Sequence, residues 1–190
     1  MITVDPSEFV ARWHAWYSDA EPFGYAIGAA RTGRWLRIHS LPGSRRYPAT
    51  EADRQEVLSR HNAAAALILG HDPAVLVGYD DEGRLELPAA HPLRPWLPDA
   101  SPVARIALDD DGEASVSVFA GPVRWSGGML DQPFLMVAED AMRLMLVNWR
   151  TGAVYAPYDG GADLYFATPE DRDRARERFA AWLSPDPSGL

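Results

Sequence analysis

The stretch Trp149–Phe166, WRTGAVYAPYDGGADLYF, decides how the chain is read. It holds two turn signals, RTG and DGG, set between short runs rich in Val, Tyr, Ala and Leu. Short apolar runs bounded by glycine turns read as antiparallel strands joined by hairpins. RLMLVNW therefore pairs with AVYAPY across RTG, and ADLYF follows as a further strand. The insert PYDGGAD presents Tyr158, Asp159 and Asp163 beside two glycines. Those glycines permit positive φ, and hence a tight turn or bulge.

The acidic half upstream repeats the hairpin pattern. AVLVGY and RLEL flank DDEG, and VARIAL and SVSVF flank DDDGEA. Between them PAAHPLRPWLPDASP reads as an ordered, extended loop, because each proline holds its predecessor out of the helical region. Near the N-terminus YAIGAA and RWLRIHSL form a further expected hairpin. In its second strand Trp35, Arg37 and His39 face one way and Leu36 and Ile38 the other.

Helix signals are local and strong. Asp5 caps a first helix that Pro6 opens, with Phe9, Trp13, Trp16 and Tyr17 on one face. Thr50 and Asp53 form a capping box for a second, which runs to Gly70. FLMVAEDAM reads as a short third. Thr168, Pro169 and Asp171 start a last one, with Ala175, Phe179, Trp182 and Leu183 as its inner stripe. Strands and helices do not alternate. The expected class is α+β: a mainly antiparallel sheet built from hairpins, with about three to four helices packed on one face. Residues 1–190 are expected to form a single domain with a frayed tail over 184–190.

Composition narrows the chemistry. The chain has no cysteine, and all 18 of its basic residues are arginine. Thiolate nucleophiles, cysteine-bound zinc, Schiff-base lysine and the P-loop lysine are thereby excluded. An arginine-rich, lysine-free composition with abundant Ala, Gly and Pro reads as the product of a GC-rich genome. The histidines His14, His39, His61, His71 and His91 show no metal-ligating spacing, and each reads as solvated or hydrogen-bonded. DDDGE lacks the later ligands of a calcium loop, and neither GxSxG nor GxGxxG occurs. No cofactor and no metal are expected.

Net charge is −9, unevenly spread. Residues 1–70 carry eight Arg against seven Asp and Glu, and residues 71–190 carry ten against twenty. Such acidity disfavours nucleic acid as a ligand and suits a basic protein partner. With no apolar run of about twenty residues, no membrane span is expected. MITVDPSEFV lacks the basic and apolar regions of a secretory signal, so a cytoplasmic location is expected.

Two constellations carry the candidate site. RTGRWLRIHSLPGSRRYP gathers Arg31, Arg34, Arg37, Arg45 and Arg46 with His39 and Tyr47. Guanidinium forks suit phosphate or carboxylate ligands, or internal pairing with Asp159 or Asp163. The DGG turn is expected to set Asp159 against an arginine. A partner surface is expected at Asp80, Asp81, Asp109, Asp110 and Asp111, with Trp96 as an exposed anchor.

The segments RIHSLPGSRRYPATEADRQEVLSRHN and VYAPYDGGADLYF resemble a family of small uncharacterised bacterial proteins of actinomycete type. That family carries an LPxSKRY loop before a helix and a YHPYDGGxD turn near the C-terminus. The chain departs from it at Ala156, where the family has histidine, which weakens an acid/base role for the turn. In its α+β layout, acidity and WxTGxVY hairpin it is also similar to SMI1/KNR4-like immunity proteins, which neutralise toxin domains. The leading expectation is a non-enzymatic protein-binding module, of immunity type, that contacts a basic partner. The alternative is a small-anion-binding protein or enzyme, with its site between Arg45, Arg46, Tyr47 and the turn Tyr158, Asp159, Gly160, Gly161.

Overall fold

Trp149–Phe166 forms the hairpins its turns dictate. In the computed structural model, which describes residues 4–18, 20–27, 33–98, 100, 102–108 and 114–184, β5 (Leu144–Asn148), β6 (Val154–Tyr158) and β7 (Gly161–Tyr165) pair antiparallel in sequence. With β1 (Trp35–His39), β2 (Ala74–Asp80), β3 (Pro102–Ala107) and β4 (Ser115–Val123) they form a seven-stranded sheet in the order β1-β7-β6-β5-β2-β4-β3. Every pairing is antiparallel. The class is α+β.

Helices cover both faces rather than one. α1 (Pro6–Tyr17) sets Phe9, Trp13 and Tyr17 against Val75, Val77, Met145, Val147 and Val154. α2 (Glu51–Leu69), α3 (Asp131–Ala138) and α4 (Pro169–Arg178) bury Ala64, Ile68, Phe134, Val137 and Ala175 against Leu36, Leu76, Leu146 and Leu164 on the other face. Alternate residues of one strand therefore feed two cores, and β2, β5 and β7 are buried throughout. The helix starts follow the expected caps. Asp5 accepts from Ser7 N at 2.9 Å, and the Thr50–Asp53 box closes in both directions.

One expected hairpin is absent, and a second falls partly outside the described residues. RLEL is not a strand: β2 already pairs with β4 and β5 on its two edges, so no edge remains for residues 84–87. Asp80 instead folds the chain back by accepting from the Arg84 backbone at 2.9 Å and its guanidinium at 2.8 Å. Tyr25–Ile27 form a turn, residues 28–32 lie outside the described residues, and β1 takes β7 as its partner. The frayed tail expected over 184–190 lies, from 185 on, outside the described residues as well.

The proline-rich loop packs against the sheet beyond the reach of α2. Leu93 and Leu97 are fully buried there, above Gly78 and Gly121. A Cβ at either glycine would come within 2.6 Å of a leucine methyl, so the loop can lie this close only over bare backbone.

Asn148 ties α2 to the β5–β6 turn. Its Nδ2 donates to Ile68 O at 3.1 Å, Leu69 O at 3.3 Å and Asp72 Oδ2 at 3.0 Å. Its Oδ1 accepts from the Arg150 and Thr151 amides, both at 3.1 Å. These are orphan carbonyls of a helix end and orphan donors of a turn. An Asn148→Leu change keeps the volume but strands them, and is expected to cost about 3 kcal/mol. A fall in the urea midpoint with unchanged slope would check this.

Candidate functional site

The β1–β7–β6 ladder aligns the expected site residues. Arg37 stands opposite Asp163 in register, and Asp163 opposite Ala156. Arg37 donates Nε to Asp163 Oδ1 at 2.8 Å and Nη2 to Oδ2 at 2.9 Å, a bidentate pair in which both side chains are mostly buried. Trp35 Nε1 donates to the same carboxylate at 2.9 Å. The guanidinium lies over two rings, 5.0 Å from Tyr158 and 5.4 Å from Trp35. The hydrogen bonds to Asp163 hold Arg37 above its usual pKa, and burial pushes Tyr158 up to about 12.

The arginine loop and the DGG turn meet. Asp159 is buried and accepts from Arg46 Nε at 2.5 Å and from Tyr47 Oη at 3.0 Å through the same oxygen. Arg45 turns the other way, to Asp53, at 2.5 and 3.0 Å. Arg34 donates to the Ala167 carbonyl at 3.3 Å, and Arg31 lies outside the described residues. The hydrogen bond from Arg45, with those from Ala49 and Thr50, holds Asp53 far below the usual carboxylate range. His39 does not join this network. Its Nε2 is enclosed with no hydrogen-bond partner among the described residues, and burial together with Arg37 and Arg60 lowers its pKa.

The glycines of the turn act by closeness and not by conformation. Neither Gly160 nor Gly161 has positive φ. A Cβ on Gly161 would instead stand 1.9 Å from the Ile38 carbonyl oxygen, where β7 begins against β1.

Beside this seam lies a cleft of about 220 Å³. Phe23, Gly24 and Tyr25 form part of its wall. Tyr79 Oη donates to Pro22 O and Tyr165 Oη to Gly24 O, both at 2.8 Å. Phe23, Tyr25, Tyr79 and Tyr158 supply aromatic walls, Met142 an apolar one, and Arg37, Arg143, Asp140, Asp159 and Asp163 the charges. Phe23 stacks on Tyr25 at 5.2 Å and on Tyr79 at 4.9 Å. Arg143 lies 5.8 Å from the Phe23 ring and 5.7 Å from Tyr79, and pairs with Asp81.

Of the expected partner surface, Asp80 is buried and paired with Arg84, so it faces inward. Asp81 is exposed and pairs with Arg143, a cleft residue. Trp96 is half-buried against the leucines of its own loop and the second core, not a free anchor. Asp109, Asp110 and Asp111 lie outside the described residues. Phe23, Tyr25, Tyr79, Asp140 and Arg143 were not expected at a site. Tyr79 and Arg143 meet because β2 and β5 are neighbours, and no local motif announces that pairing.

The chain is thus an α+β protein with one antiparallel sheet and an aromatic, arginine-bearing cleft at one sheet end. It belongs to the DUF3885 family, a domain of unknown function, whose model matches residues 23–187 and so takes in every residue of the cleft. No curated protein and no solved structure matches the chain. Among the described residues no helix is long and apolar enough to cross a membrane, and no three of His, Asp and Glu gather as a metal-ligand set.

Proposed function

We propose that this protein is a non-catalytic binding module for a basic protein partner, working in the bacterial cytoplasm in the manner of an immunity protein. One observation carries the reading: Arg37, Arg45 and Arg46 each face a carboxylate of the same chain. Three arginines of the basic segment are thereby neutralised from within, while the chain as a whole keeps a net charge of −9. Such a surface steers a basic protein toward it. The small-anion alternative requires Arg45 and Arg46 to be open, and their internal pairs weigh against it. The likeness to the actinomycete-type family and to SMI1/KNR4-like immunity proteins belongs with this proposal.

Tagged protein incubated in lysate of its native organism tests it, with bound proteins weighed at low and moderate salt. The expected result is one basic partner in near-equal amount, lost as salt rises. Finding no partner at either salt would overturn the reading.

A further inference from the structure

The charges around the cleft do not cancel. Arg37 is paired with Asp163 at 2.8 Å, Arg46 with Asp159 at 2.5 Å, and Arg143 with Asp81. Asp140, at the end of α3, lines the same cleft and has neither hydrogen bond nor ion pair to its carboxylate among the described residues. It lies within electrostatic reach of Arg46 and Tyr47, but Arg46 is already held by Asp159. The cleft therefore carries one carboxylate more than it has cations.

Its walls already seat guanidiniums. Arg37 lies 5.0 Å from the Tyr158 ring, and Arg143 lies over both Phe23 and Tyr79. Tyr25, which lines the cleft and stacks on Phe23, is 65% exposed. A cation over such a ring, held by a nearby carboxylate, gains from the ring quadrupole and the charge together. At about 220 Å³ the space equals about seven waters at ~30 Å³ each, room for one long side chain and not for a folded element.

We propose that this cleft is the receptor pocket for a cationic side chain, arginine or lysine, with Asp140 as its counter-ion and Tyr25 as its lid. The proposal rests on the reading that the partner is a basic protein, and it names where that partner inserts.

The test uses the full chain and small probes: arginine and lysine capped at both ends, with capped glutamate and benzoate as anionic counterparts. Binding is followed by NMR shifts at low salt. Capped arginine or lysine is expected to bind and the anions not. Asp140→Asn and Tyr25→Ala are each expected to weaken binding about three- to five-fold. Both side chains are exposed, so melting temperatures should hold and a folding defect would be visible. Binding of benzoate or glutamate in place of the cations would overturn the proposal. So would cation binding indifferent to both variants. If a basic partner is captured equally by wild type and both variants, the binding-module reading stands and this pocket falls. If the capped cation binds here and no basic protein is captured, the pocket stands and that reading falls.

Discussion

Gly161→Ala will destabilise the protein by at least about 3 kcal/mol, although it adds a single methyl group. The added Cβ would stand 1.9 Å from Ile38 O and 3.0 Å from the Tyr158 hydroxyl. Tyr158 can turn aside. The carbonyl cannot, because β1 is held to β7 from Trp35↔Tyr165 to His39↔Gly161. Relief comes only by lifting the end of β1, which loosens the Arg37–Asp163 pair along with it. At 2–4 °C per kcal/mol for this size, the melting temperature should fall by roughly 6–12 °C. Gly160→Ala is the control: its Cβ would meet side-chain atoms at 3.3 Å and 3.6 Å, which can yield, and should cost under about 1 kcal/mol. Equal melting temperatures for the two variants would show that the glycine at 161 is not there for the close approach.

The second large effect is expected from acid. His61 lies wholly inside, with Nε2 at 2.9 Å from Ser40 Oγ and Nδ1 against the Tyr155 hydroxyl. Phe134 packs on its ring at 5.6 Å. A neutral imidazole serves both hydroxyls, one as donor and one as acceptor. Burial pulls the His61 pKa down to about 4. An unfolded histidine titrates near ~6.5, so between these values the unfolded chain binds more protons than the folded one. Stability must therefore fall as pH drops from about 6.5 to 4, by roughly 3 kcal/mol in all, and is fully present above that window. Burial also lowers His39 and His91, so some slope will remain without His61. Below the window the low-lying carboxyls of Asp53 and Asp72 take over. Urea melts from pH 7.5 to 4.5 on wild type and His61→Gln would separate the contributions. A glutamine can still donate and accept, but cannot charge. Stability curves that stay parallel across this range would refute the account.

The sequence announced whatever is settled within a few residues. Asp5, Thr50 and Thr168 accept hydrogen bonds from the helix starts they precede, RTG turns the chain with Gly152 at positive φ, and DGG marks a turn although its glycines are there for space and not for conformation. RLEL misled because its alternation is real while the strand edge it would need is already taken by β4 and β5. Strand order is a long-range matter, invisible to local pattern. The same holds for the candidate site. Arg37 and Asp163 could be paired by charge and by the facing of Arg37 on its strand. The cleft could not, since Phe23, Tyr79 and the Asp140–Arg143 stretch come from three separate parts of the chain. His61 was legible as hydrogen-bonded, but its partners Ser40 and Tyr155 lie 21 and 94 residues away.

The separation between β1 and β7 also sets a timetable. Arg37 and Asp163 are 126 residues apart. At a ribosome's pace of about 5–20 residues per second, β1 must wait roughly 6–25 s for the strand that completes it. During that interval Trp35, Leu36 and Ile38 have no native neighbour in the sheet, while the β2–β4 part can already assemble. A nascent chain stalled before β7 would hold a formed centre and a loose, sticky edge. Chaperone attention during synthesis should concentrate there and subside as soon as the DGG turn clears the exit tunnel.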